Sequence, residues 1–310
     1  MSPGAAAPEP LKPLRIGTRG SALALVQADG VAEALRARGA QVEIITITTS
    51  GDTAAAAPGD KSRFVKEIDE ALLDGEVDVA VHSAKDVPGH LPDGLVIAAV
   101  PAGEDPRDVL VGAAGPIAEL PAGMRVGTSS LRRRAQLLAH NPHLDVLPLR
   151  GNVDTRLRKL AAGEYDAIVL AGAGLRRLAR AGEIGAELDA GDFVPAAGQG
   201  LLALETRGDG PARAVVANLD DRAARTRLEA ERALVEALEA TCHTPVGAHA
   251  RLAGESLVLH CFAGLPDGGE WIADRATFPA SDPRSAGEEL ARRMRAAGAG
   301  ALLRRAEAVG

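Results

Sequence analysis

Thr128, Ser129 and Ser130 lead into Arg132 and Arg133 in the stretch GTSSLRR, and LRGNVDTR repeats the plan with Arg150, Gly151, Asn152 and Arg156. Between Met124 and Lys159 the basic residues are Arg125, Arg132, Arg133, Arg134, Arg150, Arg156, Arg158 and Lys159. Against them stand Asp145 and Asp154, in a chain of net charge −7. Both stretches read as a strand end running into a helix start. Backbone N–H groups, hydroxyls and guanidinium groups should therefore gather at one sheet edge, where open α/β sheets bind ligands. That combination suits several carboxylates or phosphates, which arginine grips through two parallel hydrogen bonds. A solvated helix face would explain one RRR run; two matched turns speak against it.

The first part of the chain repeats the arrangement. Arg19 and Ser21 stand at a turn in IGTRGSALAL, and Ser83, Lys85 and Asp86 follow a strand in VAVHSAKDVPGH. Lys85 is one of five lysines beside 30 arginines, so lysine is not the default cation. Asp86 either forms a plain ion pair with Lys85 or, facing an anion-binding cleft, acts as an acid/base group on an amine leaving group or a cationic intermediate. The two cysteines are Cys242 and Cys261. Cys242, in EATCHTPVGA, is open to three readings: a small buried hydrophobe, a nucleophile activated by His243, or a ligand or covalent anchor. Cys261 lies in an apolar strand pattern and reads as core. His243, His249, His260 and Cys261 do not have zinc spacing, so no metal is expected. Walker A, HExxH and supported Ser/His/Asp patterns are absent from the sequence.

These turns need sheets to hold them. From Leu14 the pattern alternates strand and helix: LRIG, a helix from about Ser21 to Arg38, QVEIITITT, the helical RFVKEIDEALLDG, then VDVAVHS and LVIAAVP. This rhythm predicts an α/β unit with a largely parallel sheet. It restarts after PAGEDPRD with VLVG, MRVGTSS, LRRRAQLLAH, LDVLPLR, NVDTRLRKLAAG and YDAIVLAG. LLALETR has no partner nearby and is expected to return to the first sheet. The expected organisation is a disordered leader at 1–13, a first α/β domain at 14–102 plus 198–218, and a second at 106–193, with a hinged cleft between them. An α+β domain with an antiparallel sheet is expected at 221–310, ending in a helix from about Pro283 to Ala306.

Composition excludes several classes. Aromatic residues make up 2% of the chain, too few for a base-stacking platform, and the acidic balance suits no general nucleic-acid binder. The apolar runs fall short of the roughly 20 residues that span a membrane. Two cysteines without CxxC spacing and a leader without an apolar h-region point to a reducing, cytoplasmic setting.

The stretches IGTRGSALAL, FVKEIDEALLDGEVDVAVHSAKDVP, EDPRD, VGTSSLRRRAQL, LRGNVDTRL, YDAIVLAGAGLRRL, PAAGQG and CHTPVG together resemble the porphobilinogen deaminase family, in that family's order. The resemblance implies two domains similar to type-2 periplasmic binding proteins, a third small domain, and an active site in the cleft. It also implies a dipyrromethane cofactor on a cysteine thioether, here Cys242. Four porphobilinogens would be deaminated and joined head to tail on this primer, and hydrolysis would release hydroxymethylbilane. Asp86 matches the family's catalytic aspartate, stabilising the electron-deficient azafulvene left by ammonia. Arg19, Ser21, Lys61, Ser83, Lys85, Thr128, Ser129, Ser130, Arg132, Arg133, Arg150, Gly151, Asn152, Arg156, Arg177 and Gln199 match cofactor- and substrate-binding positions. The family expectation is a monomer.

Two departures stand out. Ser62 and Arg63 replace residues of a glycine-rich segment in which Lys61 matches, and Ala240 and Thr241 precede Cys242 where glycines are common. The competing reading is a non-catalytic anion-binding protein of the periplasmic type, which leaves the Cys242 stretch unexplained.

Overall fold

The computed structural model describes residues 12–52, 64–241 and 244–309. The first sheet is built from β1 (Leu14–Arg19), β2 (Val42–Ile47), β3 (Val79–Ser83) and β4 (Leu95–Ala99), with α1 (Ala22–Arg36) and α2 (Lys66–Leu73) between strands. Ser21 caps α1 by accepting from the Ala24 N–H at 3.3 Å. Gly75, at φ 72°, allows the left-handed turn that follows α2.

The second sheet contains β5 (Asp108–Val111), β6 (Arg125–Gly127), β7 (Asp145–Leu147), β8 (Ala167–Ala171) and β9 (Ala186–Glu187). Its helices are α3 (Leu131–His140), α4 (Val153–Ala161) and α5 (Gly172–Arg177). The chain then returns through β10 (Leu202–Arg207) and α6 (Ala212–Val216). β10 inserts between β3 and β4, giving the order β2-β1-β3-β10-β4; the second sheet runs β7-β6-β8-β5-β9. The orders correspond, and in each sheet the fourth strand is the one that follows a crossing of the chain between the two sheets.

Both sheets are mixed rather than largely parallel. β1 pairs in parallel with β2 and β3, while β10 runs antiparallel to both its neighbours. β6 likewise pairs in parallel with β7 and β8, and β5 runs antiparallel to β8 and β9. The return of β10 to the first sheet agrees with the expectation from LLALETR, but strand periodicity carries no direction, so the antiparallel setting of β5 and β10 is not legible in it. The two crossings touch: the Glu104 N–H donates to the Gly200 carbonyl at 3.0 Å.

The third sheet is antiparallel, β11 (Val246–Ala253), β12 (Ser256–Gly264) and β13 (Trp271–Pro279) in that order. α7 (Arg222–Ala237), α8 (Pro283–Ala296) and α9 (Ala299–Val309) complete this part. Its core joins Leu234, Leu257, Leu259, Leu290 and Met294, all essentially unexposed. The expected single C-terminal helix is two, because Gly298 takes φ 102° and breaks the ladder between α8 and α9. Among the described residues, no helix is long and apolar enough to cross a membrane.

Candidate active site

The turns after β1 and β3 carry the first group of side chains. The Arg19 guanidinium lies 4.2 Å from the Phe64 ring centroid, while Ser21 serves as the α1 cap. The Ser83 hydroxyl is held by Gln27, whose Nε2 donates to it at 3.0 Å. Lys85 and Asp86 lie in the short 3-10 turn Ala84–Asp86 that leaves β3. The Lys85 Nζ donates to Gln199 Oε1 at 3.4 Å, linking this turn to the second crossing.

In the second sheet, Thr128, Ser129 and Ser130 shape the turn into α3. Thr128 Oγ1 accepts from the Ser130 N–H at 3.2 Å, Ser129 Oγ donates to the Leu149 carbonyl at 2.8 Å, and Ser130 caps the helix. At α4, Gly151 adopts φ 113° and Asn152 accepts from the Thr155 N–H at 3.0 Å. These residues build the helix mouths rather than standing free. Arg156 Nε donates to the Gly151 carbonyl at 2.8 Å, and Arg150 is exposed. Arg177 Nη2 donates to the Gly200 carbonyl at 2.7 Å, so it braces the crossing.

Arg132 and Arg133 are 5% and 6% exposed and converge on Asp108, which is 0% exposed. Arg132 Nη2 lies 2.8 Å from Asp108 Oδ2, and Arg133 Nη2 lies 2.7 Å from Oδ1. Gln199, 1% exposed, donates Nε2 to Asp108 Oδ1 at 2.9 Å and to the Pro106 carbonyl at 2.6 Å. Asp108 was not singled out in the sequence; its signal is the last residue of EDPRD, where a charge opens an apolar strand.

Through Gln199 the Lys85 ammonium is linked to Asp108, and the electrostatics follow that contact. Burial, then the nearby Arg133 charge, pull the Lys85 ammonium down to about 8, although Asp86 and Asp108 oppose the shift. Burial and Arg133 pull Arg156 down to about 10, against support from Asp86. Burial pushes the Asp108 carboxyl up, but Arg132 and Arg133 overcome it and hold the group at about 2. Lys85, Arg132, Arg133 and Arg156 thus crowd one another while sharing Asp86 and Asp108 as carboxylates. A cluster with surplus buried positive charge fits a ligand that brings several carboxylates.

The third sheet reaches this site through the crossing. Glu231 on α7, 1% exposed, accepts from the Gly198 N–H at 2.7 Å and from the Ala250 N–H at 2.8 Å. Gly198 takes φ 73°, and a Cβ there would come within 2.9 Å of the Ala84 carbonyl carbon and the Lys85 nitrogen. Cys242, His243 and Lys61 lie outside the described residues. The flanking Thr241 and Thr244 are joined by a hydrogen bond from Thr244 Oγ1 to the Thr241 carbonyl at 2.7 Å. Cys261 is buried, and burial pushes its thiol up, as suits a core residue.

A second titratable cluster lies inside the first sheet. Asp69 of α2, His82 of β3 and Glu205 of β10 are all buried, with one ligand atom from each within 4.8 Å of the others. The sequence separates them too widely for a motif to show.

Residues 14–214 match the family described as "Porphobilinogen deaminase, dipyromethane cofactor binding domain", and residues 225–296 match "Porphobilinogen deaminase, C-terminal domain". The chain belongs to the porphobilinogen deaminase family. It is 48% identical over 298 residues to the porphobilinogen deaminase of Roseiflexus castenholzii, covering 94% of this chain and 98% of that one. To the porphobilinogen deaminase of Syntrophobacter fumaroxidans it is 46% identical over 299 residues, covering 94% and 96%. Among solved structures, a TRAP periplasmic solute binding protein from Desulfovibrio salexigens matches 67% of this chain and 72% of that one, at TM-score 0.41 and 13% identity. As a porphobilinogen deaminase family member, the chain carries the cofactor-binding part of that family across both mixed sheets.

Proposed function

We propose that the protein condenses four porphobilinogens head to tail on a dipyrromethane primer held by Cys242, and then releases the linear tetrapyrrole hydroxymethylbilane. Asp86 is the acid/base residue of this reaction. One observation supports this reading of the site: Asp86 shares its turn with Lys85, which is tied through Gln199 to Asp108 and so to Arg132 and Arg133 of the other sheet.

The chemistry at each step follows from that placement. The aminomethyl C–N bond of porphobilinogen breaks, and the nitrogen leaves as ammonia with a proton delivered to it. The methylene carbon would then bond the free α-carbon of an acceptor pyrrole, whose proton must be taken up. Asp86 donates the first proton, receives the second, and in its ionised form faces the positive charge on the deaminating ring. Bound dipyrromethane supplies the terminal pyrrole carbon for the first bond and the carboxylates that fill the cationic cluster. Lys85, Arg132, Arg133 and Arg156 hold acetate and propionate groups, and Arg19 and Arg150 extend the same surface. Ser21, Ser83, Thr128, Ser129, Ser130, Gly151 and Asn152 keep the helix mouths in shape, while Arg177 and Gln199 brace the crossings between the domains. The division into two cleft domains and a third that carries the tether follows the three sheets. A cytoplasmic monomer suits this biosynthetic role.

Incubating the purified protein with porphobilinogen tests the reading. It requires four ammonia molecules for each hydroxymethylbilane released. Binding of porphobilinogen without ammonia release would instead make the chain an anion-binding protein.

A further inference from the structure

Asp108 is a fully buried carboxylate of the cationic cluster. Its two oxygens are divided among three partners: Oδ2 faces Arg132 at 2.8 Å, and Oδ1 takes Arg133 at 2.7 Å and Gln199 Nε2 at 2.9 Å. The same Gln199 accepts from Lys85 Nζ at 3.4 Å through its other amide atom. An unbroken chain of polar contacts therefore runs from Lys85 on the first sheet, through the second crossing, to two arginines on the second sheet. Its inner members are sealed, with Asp108 at 0%, Gln199 at 1% and Arg132 at 5% exposure. Gln199 is fixed further by the Pro106 carbonyl at 2.6 Å on the first crossing.

This arrangement does more than join two domains. Lys85, Arg132, Arg133 and Arg156 against Asp86 and Asp108 leave surplus positive charge in a largely buried place, where electrostatic effects are stronger than in water. Because Gln199 is neutral and offers Lys85 an oxygen, it orients the ammonium without neutralising it. Because Asp108 is ionised, it keeps the guanidinium groups aligned before any ligand carboxylate arrives.

We propose that Asp108 and Gln199 are positioning residues, which together set the place and the charge of Lys85, Arg132 and Arg133 from beneath the cleft. The proposal rests on the cleft being the reaction site, and it reassigns Gln199 from contacting ligand to acting through Lys85. The groups that face Lys85 are Asp86 on its own turn, Arg132, Arg133 and Asp108 from the second sheet, and Gln199 from the crossing. Removing the Asp108 charge leaves Asp86 as the carboxylate opposing the arginines at Lys85 and makes the Lys85 proton easier to lose. Removing the Gln199 amide takes away the oxygen that accepts from the ammonium and acts with the same sign.

The five lysines make a direct test practical. The holoenzyme, labelled with 13C at the lysine ε-carbons, is titrated by NMR, with Lys85→Arg assigning the Lys85 signal. The Lys85 transition of the native holoenzyme is the reference. It should move down by about one pH unit in Asp108→Asn, and down again in Gln199→Leu, which removes the oxygen that accepts from Nζ, while the other lysines stay in place. If Asp108→Asn fails to fold, Gln199→Leu alone decides. A Lys85 transition that stays put or moves up in the folded variants overturns the proposal. The titration needs no turnover, so absence of ammonia release by the native protein would count against the functional reading and leave this result standing.

Discussion

Asp86 and Arg156 belong to different sheets, yet the Asp86 carboxylate supports the charge on the Arg156 guanidinium against the pull of burial and of Arg133. The relationship couples the turn after β3 to α4 of the second sheet, as the proposed acid/base and anion-binding roles of the two residues require.

Asp86→Asn keeps the shape of the side chain and removes its proton chemistry. Ammonia release should fall about 10²–10⁴-fold in kcat, with an unchanged melting temperature. A rise in KM with kcat intact would make Asp86 a binding residue instead.

Arg156→Leu leaves one substrate carboxylate without its charged partner. A charged hydrogen bond contributes about 1.5–3 kcal/mol, so kcat/KM should drop by roughly one to two orders of magnitude. Steady-state kinetics on the purified variant reads this; unchanged kinetics would place Arg156 outside the binding surface.

The strand-to-helix turns around Ser21, Ser130 and Asn152 were legible because capping residues and arginines are local signals. Each occurs where strand and helix periodicities meet. What stayed hidden was non-local. β10 was expected in the first sheet, but its direction, and the matching role of β5, follow from the double crossing. Asp108 reads as the end of a motif, and only burial beside Arg132 and Arg133 makes it central. Asp69, His82 and Glu205 come together from α2, β3 and β10, so no spacing rule connects them. The break at Gly298 was missed because the helical pattern resumes in phase with a core contact at Leu303.

Gly198→Ala tests the packing of the crossing on the Ala84–Asp86 turn. Its φ of 73° disfavours a side chain, and the new methyl would meet the backbone of Ala84 and Lys85 at 2.9 Å. The variant should lose about 1–3 kcal/mol of stability and a further share of activity through displacement of Asp86. Thermal melting and ammonia release measured together check both parts; native values in both would mean the turn yields freely.

Glu205→Gln addresses the buried cluster. Burial, then the Asp69 charge, push the Glu205 carboxyl from 4.5 up to about 8. Stability from this group is therefore fully present below pH 4.5 and is lost as pH rises through about 8. Asp69, raised to about 6 by burial and Glu70, acts with the same sign over a lower range. His82, which burial lowers to about 4, acts oppositely, its contribution fading as pH falls from 6.5 through 4. The melting temperature of the native protein should fall relative to that of the variant between pH 5 and 8. Parallel curves would contradict the assignment.

In the proposed reaction the site is primed by a covalent polyanion on Cys242 and worked by Asp86. Intact-mass spectrometry of the purified native protein and of Cys242→Ser tests it most directly. The native mass should exceed the sequence mass by two linked pyrrole units, and the variant should lack that increment. An unmodified native protein that turns over porphobilinogen with a free Cys242 thiol would contradict the account.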